Sequence, residues 1–310
     1  MGQTVSDHER VDYTQVAMPP GYRLPSLLVV IVGHAAAAAA FFTAPWWIAL
    51  AILLPTGCCV MWGTLYPHSS LFGPVMTRLP ERARPVVWLT FDDGPSTDTL
   101  ALLDVLGEYG AKATFFLVAQ RAQHDPDRVK AIIDAGHDIG NHTDSHPAAW
   151  FWGLSPSRMA GQIDAAQSTL TKLAGRPPRW FRSVAGQTNP FVEPVLRRLG
   201  LSRASWTGRG FDTVDPDDVR VLRRLTKAIS PGAILMLHED AGRPGRCVRL
   251  LRSLLLEIST RGYATALPTP ALTGAATTSQ LLKGVRPQSG DEVTRRPNVA
   301  SSDSRPSRVG

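Results

Sequence analysis

Residues 86–95 read VVWLTFDDGP. The first six are apolar or β-branched, as a strand buried on both faces requires. The run then delivers two adjacent carboxylates, Asp92 and Asp93, to the point where the strand should end, and Gly94 and Pro95 supply a sharp exit. Successive side chains of a strand face opposite ways, so neighbouring aspartates at its end need not share a task. One can hold a cation while the other handles a proton. Ser96 or Asp98 can cap a helix beginning at Thr99. An isolated Asp-Asp-Gly-Pro is most simply a solvated turn, so its meaning depends on what else converges there.

Outward from this stretch, between residues 85 and 268, short apolar runs alternate with amphipathic ones. Strands are expected at 86–91, 113–118, 137–142, 180–184, 202–206, 233–238 and 263–268. Helices are expected at 98–109, 127–135, 156–173, 191–199, 217–229 and 246–260, with glycines such as Gly175 and Gly200 just past their ends. Strand-helix alternation favours an α/β fold with a parallel sheet, and about seven units favour a (β/α) barrel over an open sheet. In such barrels chemistry gathers at the carboxyl ends of strands. Asp92 and Asp93, His142 with His146, Arg182, Asp212 and His238 all fall at or just after strand ends.

His142 and His146 lie in NHTDSH, an H-x-x-x-H spacing. Alone that spacing is a weak signal, because paired histidines more often make ordinary polar contacts. With Asp93 arriving from a neighbouring strand end, two imidazoles and one carboxylate make a ligand set suited to zinc or a similar divalent ion, with a coordination position left open. Such a site needs a base for the water proton, for which Asp92 is the natural candidate, and an acid for the departing amine, for which His238 is placed. Arg182 can hold Asp92 ionised and oriented, and Asp212 can orient His238 and favour its protonated form. The crowding of Asp92 and Asp93 then has an answer: a cation offsets one carboxylate and a guanidinium the other.

TFDDGP, NHTDSHP and a terminal-strand LH, in that order, resemble the polysaccharide deacetylase family, also called the NodB homology domain or carbohydrate esterase family four. The resemblance spans about residues 85–268. It implies a distorted (β/α) barrel and metal-dependent removal of N-acetyl groups from amino sugars. It also implies Asp92 as base, Asp93, His142 and His146 as metal ligands, and His238 as acid, with Arg182 and Asp212 in the supporting positions of the third and fourth motifs. Zinc is the expected ion, with cobalt, nickel or manganese as alternatives. The chain departs from the family in three places. The third motif, usually Arg-Pro-Pro-Tyr-Gly, reads Arg182, Ser183, Val184, Ala185, Gly186; Ala185 retains the backbone N–H that faces the oxyanion but lacks the aromatic wall. The fourth, usually ending Asp-Trp, reads WTGRGFDT, so Thr213 follows Asp212. Met236 stands where a leucine often lines the acetyl-methyl pocket.

The remaining sequence bounds the setting. The 310 residues carry a formal charge of +7, part of it near the C-terminus, and no basic stripe interleaved with aromatics that would indicate nucleic acid. Cys58, Cys59 and Cys247 are too few for a disulfide framework. Residues 24–66 contain no Asp, Glu, Lys or Arg, and splitting them at Ala44-Pro45 gives two segments near the roughly 20 residues that cross a bilayer. A transmembrane helical hairpin before the barrel is therefore expected, with Trp46, Trp47, Trp62 and Tyr66 near its interfaces. Arg10, Arg23, Arg78, Arg82 and Arg84 flank the outer ends, so by the positive-inside rule a hairpin leaves the catalytic part facing the cytoplasm, and a single span or a re-entrant first segment reverses it.

The expected organisation is a polar segment at 1–23, the membrane region at 24–66, a connector at 67–84, the deacetylase-like domain at 85–268 and a disordered tail at 269–310. The expected protein is an integral membrane enzyme with membrane lipid around it. Its substrate is an N-acylated amino-sugar glycan or a lipid-linked saccharide. A deformylase or deacylase of a lipid-linked sugar, or a noncatalytic glycan-binding module, are the alternatives. Arg209 reads as a solvated surface arginine, with an anionic substrate group as its other possible partner. Trp150, Phe151 and Trp152 read equally well as a sugar-stacking wall or as packing.

Overall fold

The computed structural model describes residues 15–19, 24–80, 85–148, 150–239 and 243–270. Apart from 269 and 270, the expected C-terminal tail lies outside these residues, as does most of 1–23. In chain order the elements are β1 (Gln15–Val16), α1 (Leu24–Thr43), α2 (Trp46–Leu65), β2 (Val86–Gly94), α3 (Thr99–Glu108), β3 (Ala113–Leu117) and α4 (Ala119–His124). There follow α5 (Pro126–Asp134), β4 (Asp138–Asn141), α6 (Pro156–Ala174), β5 (Trp180–Phe181), α7 (Val192–Leu199) and β6 (Ser202–Arg203). The last are β7 (Gly208–Arg209), α8 (Asp218–Ala228), β8 (Ile234–His238), α9 (Arg246–Thr260), β9 (Ala264–Thr265) and β10 (Thr269–Pro270).

The strand β2 occupies the middle of a parallel sheet of order β6-β5-β4-β3-β2-β8-β7, with β9 pairing its first residues. Its apolar run is continuous because it is covered on both sides. Val87, Leu89 and Phe91 face the helices and pack with Phe115, Leu117, Leu235 and Leu237 and with apolar residues of α3 and α9. The intervening Trp88 faces inward and meets Phe116, Trp180 and Ile234. This is the distorted (β/α) barrel expected from the alternation of elements.

The seam between β6 and β7 is occupied by residues 76–79, which form bridges from Met76 to Ala204 and from Arg78 to Ala233. Met76 N donates to Arg203 O at 2.9 Å, and Leu79 N to Gly232 O at 2.8 Å. The stretch read as a connector therefore supplies backbone partners along the barrel's open edge, where unpaired strand groups would otherwise face solvent.

Strand alternation sorts the interior into tiers. Trp88, Trp180, Phe116 and Ile234 form an apolar floor. Two residues further along their strands come Thr90, Arg182 and Met236, all buried, and one step above these lie Asp92 and His238. Gly140 makes room for this stack, because a Cβ there would lie 2.4 Å from Phe116 Cδ1. The Phe116 ring in turn carries the Arg182 guanidinium at 4.1 Å from its centroid.

Helix ends follow local chemistry, with one correction. Asp125 and Asp217 cap α5 and α8 through their side chains. Gly175 and Gly200 take left-handed conformations after α6 and α7. Asp98, expected as a cap for the helix that follows it, makes no side-chain cap bond to α3. Its two carboxylate oxygens instead accept from Gly245 N, at 2.9 and 2.8 Å, at the start of α9. A carboxylate is worth more there, because it ties two helices together at a positive helix end.

The two 20-residue helices α1 and α2 pack against each other and join through Ala44-Pro45. By length and apolarity α2 is able to cross a membrane. Trp46 and Trp47 are exposed at one end of it, Trp62 and Tyr66 at the other.

Candidate active site

Each residue singled out in the sequence arrives at the carboxyl-end rim of the barrel or just below it, positioned by local backbone. Asp92 and Asp93 sit at the end of β2, where the register with β3 shifts between Asp92 and Gly94. Asp93 adopts a left-handed backbone, φ 69°, a conformation uncommon outside glycine but accessible to aspartate. This irregularity lets consecutive carboxylates serve one site instead of facing opposite sides of the sheet.

Asp92 is buried, and its Oδ1 accepts from Arg182 Nη1 at 2.7 Å. Arg182 is itself fully buried at the end of β5. It donates further to Thr90 Oγ1 and to Ser205 O, each at 2.8 Å. The pair is thus held by neutral acceptors as well as by charge, which a buried ion pair needs.

Asp93 Oδ1 lies 3.0 Å from His146 Nε2 and 3.3 Å from His142 Nε2. Thr143 and His146 both have positive φ, at 70° and 55°. The loop after β4 is therefore coiled tightly, with Asn141 Oδ1 accepting from Thr143 N and Thr143 Oγ1 from His146 N. His142 Nδ1 is fixed against Arg182 O at 2.7 Å, so its Nε2 is turned toward Asp93. Burial works to raise the Asp93 carboxyl, but hydrogen bonds and charge from His142 and His146 outweigh it and hold the group well below the usual carboxylate range. Burial opposes the charged form of His142, and Asp92 and Asp93 reverse that and raise it.

His238 closes the other side of the site. Its Nδ1 lies 2.8 Å from Asp212 Oδ1, while its backbone N donates to Asp212 Oδ2 at 2.7 Å. Asp212 is fully buried. Burial pulls the imidazole down, yet the Asp212 hydrogen bond and charge, with Asp92 and Asp93 behind them, raise His238 to about 8. Met236 lies two residues below His238 on the same inner face. Ala185 is exposed on the turn after β5, its backbone left-handed at φ 52°.

Asp93, His142 and His146 fit a divalent cation. Their ligand atoms lie within 4.8 Å of one another, and the neighbours of Asp93 Oδ1 are the ring nitrogens of His142 and His146. Two imidazoles and a carboxylate at that spacing match a three-residue ligand set.

Two buried residues at this rim escaped the sequence reading. Arg246 of α9 donates through Nη1 to Asp212 O, through Nη2 to Asp215 O at 2.6 Å, and through Nε to Asp218 Oδ1 at 2.7 Å. It thereby locks the loop that presents Asp212. Glu239 folds back under the β2 exit, bonded to Thr99 Oγ1 and, at 3.3 Å each, to Ser96 N and Oγ. Burial pushes its carboxyl up to about 7. The strand-end rule pointed to His238 and stopped there; no pattern in the sequence distinguishes Glu239 or Arg246 from surface residues.

The aromatic triplet divides. Phe151 is core, packed on Phe181, while Trp150 is exposed and tilts toward Trp152 with ring centroids 6.4 Å apart. Arg209 is not a solvated surface residue. It is half-buried on β7, and its guanidinium lies over the rings of Phe211 at 4.5 Å and Trp206 at 5.4 Å.

Comparison with known proteins agrees with this fold. The family model for polysaccharide deacetylase matches residues 80–204. A peptidoglycan-N-acetylglucosamine deacetylase of Bacillus cereus is 30% identical over 194 residues, covering 62% of this chain and 89% of the relative. A chitooligosaccharide deacetylase of Bradyrhizobium is 28% identical over 190 residues, covering 57% and 86%. Among solved structures, a family 4 carbohydrate esterase from Streptomyces lividans, in complex with acetate, superposes with a TM-score of 0.54 at 27% identity, over 59% of this chain and 92% of that one. With nearly the whole length of such relatives accounted for, and the barrel and its motif order in place, the chain belongs to the polysaccharide deacetylase family, hydrolases of N-acetyl amide bonds.

Proposed function

We propose that this protein removes N-acetyl groups from an amino sugar, with Asp92 as general base and His238 as general acid on opposite sides of an Asp93-His142-His146 cation site. The observation that carries this reading is the pairing of each reactive group with its own fixed counter-charge, Asp92 with Arg182 and His238 with Asp212. The counter-charges are of opposite sign: a guanidinium holds and orients the carboxylate, and the Asp212 carboxylate favours the protonated imidazole, as division of base and acid duties requires.

A divalent cation held by the three ligands, zinc being the expected one, would polarise the acyl carbonyl and ease ionisation of water. Asp92 accepts the proton of the attacking water as its oxygen bonds to the carbonyl carbon. His238 then delivers a proton to the nitrogen as the carbon–nitrogen bond breaks, releasing acetate and a free amine. Arg182 and Asp212 position these groups. The Ala185 N–H is assigned to the developing oxyanion and Met236 to the wall beside the acyl methyl, with no aromatic ring over the turn.

The test is acyl release from N-acetylated chitooligosaccharide and peptidoglycan fragments by the full-length chain, with acetate and formate both measured. Release is expected to stop on chelation and to return on adding back a divalent ion. Glycan binding without release of either acid would reduce the protein to a noncatalytic module, and formate alone would make it a deformylase.

The pH profile provides a second check, with the alkaline limb set by His238. The acid is present below its pKa and lost as pH rises through about 8. In Asp212→Asn the Asp212 charge is gone while burial, which lowers the imidazole, remains, so the limb of kcat/KM is expected to move to lower pH. An unmoved limb would remove His238 from the role of acid.

We further propose that α1 and α2 anchor the domain in the membrane as a hairpin. Both flanks of the pair bond to the same barrel, which favours two spans over one: Gln15 and Val16 pair with Thr269 and Pro270, and Thr188 N donates to Thr64 O at 3.0 Å. The flanking arginines then favour the cytoplasmic side for the domain.

A further inference from the structure

We infer, taking the deacetylase reading above as given for the sugar, that Arg209 forms an anion subsite at the barrel mouth for the phosphate joining an N-acylated amino sugar to a membrane lipid. The register places Arg209 beside Met236, whose side chain faces the barrel interior. Its neighbour Gly208 faces the other way, against Ala228 and Leu235. The guanidinium is therefore on the reactive side of the sheet, where it feels the charges of Asp212 and Asp92, and Arg224 lies over the same Phe211 ring at 5.6 Å.

Arg209 has an unusual set of partners for a half-buried cation. Among the described residues it makes no ion pair and no hydrogen bond, and its Nε is buried without an acceptor. It is held instead by the rings of Phe211 and Trp206. Stacking fixes the plane of the guanidinium and leaves its N–H fork free, the arrangement suited to a phosphate. A half-buried cation whose Nε is shut off from water without an acceptor gains more than a fully hydrated one from an anion brought in with substrate.

The end of the apolar helix lies against the same place. Gly186 fits so tightly between α2's exit and the mouth that a Cβ there would lie 2.5 Å from Pro67 Cβ and 2.8 Å from Trp206 Cη2. From α2 the rings of Trp62, Tyr66, His68 and Trp206 follow one another with centroid spacings of 5.1, 5.3 and 5.9 Å. Trp206 thus touches the helix end on one side and Arg209 on the other. A sugar at Asp92 and His238 would have its phosphate at Arg209 and its lipid running back along α2. A neutral polymer makes no use of either feature.

The test compares three ligands: N-acetylglucosaminyl phosphate on a long isoprenoid chain in phosphatidylcholine vesicles, the corresponding methyl phosphodiester in solution, and the neutral methyl glycoside. Binding is measured on full-length, metal-loaded Asp92→Asn protein, and acyl release on the wild type. The isoprenoid phosphate is expected to bind about 10- to 100-fold more tightly than the neutral glycoside. Adding Arg209→Met should abolish most of that preference, and Arg209→Lys, which keeps the charge, should retain part of it and serves where the methionine variant does not fold. Equal binding of phosphate and neutral ligands, or a preference untouched by both substitutions, overturns the subsite. A methyl phosphodiester bound as tightly as the isoprenoid one overturns the lipid assignment. Phosphate-dependent binding with no acyl release from any ligand overturns the deacetylase reading and leaves the subsite standing.

Discussion

Asp92→Asn is expected to slow acyl release by about 10²–10⁴-fold, the usual worth of a positioned base, while the chain keeps its fold and its divalent ion. Asparagine is close in shape to aspartate, and its amide oxygen can still accept from Arg182 Nη1, so the 2.7 Å contact has a replacement. What disappears is the capacity to take a proton. The cation site should survive because its three ligand atoms come from Asp93, His142 and His146 and none from Asp92. Equilibrium metal titration and acetate release on the same preparation separate these effects. His142→Ala provides the contrast, with loss of ion and turnover together. Full-rate release by Asp92→Asn would move the base elsewhere in the site, and loss of the ion in that variant would make Asp92 a ligand.

The different partners of these two aspartates are legible in the sequence, because they answer a chemical conflict visible in four letters. Two carboxylates at one strand end require two counter-charges, and NHTDSH and Arg182 were the residues able to provide them. The central strands were readable for a similar reason: β2, β3 and β8 are unbroken apolar runs, and both faces of each are covered. Elements lacking such a run were missed. The helix α4 reads AQRAQH, six residues whose apolar face is only Ala119 and Ala122, both buried in the core, too short a signal to mark a helix. The strand β7 has two residues, one a glycine. Residues 76–79 looked like a linker because their partners lie more than a hundred residues away in sequence. Arg209 was misjudged for the same reason, since its place on the inner face depends on β7 pairing with β8.

Arg182→Met is expected to destabilise the protein by about 3–5 kcal/mol, the cost of stranding one member of a buried ion pair, and to lower the melting temperature by roughly 6–20 °C. The guanidinium is fully buried and serves Asp92, Thr90 and Ser205 at once. Methionine fills similar volume and keeps the contact with Phe116, so most of the loss comes from the unpaired carboxylate of Asp92, with a smaller part from the two neutral acceptors. The double variant Arg182→Met/Asp92→Asn separates these contributions, since removing the stranded charge should recover part of the stability without restoring turnover. Denaturant unfolding of the four proteins in the cycle gives the coupling directly. A single variant that loses less than about 1 kcal/mol would mean that Asp92 is not held as a buried carboxylate by Arg182. The counter-charge logic that distinguishes Asp92 from Asp93 would then fail.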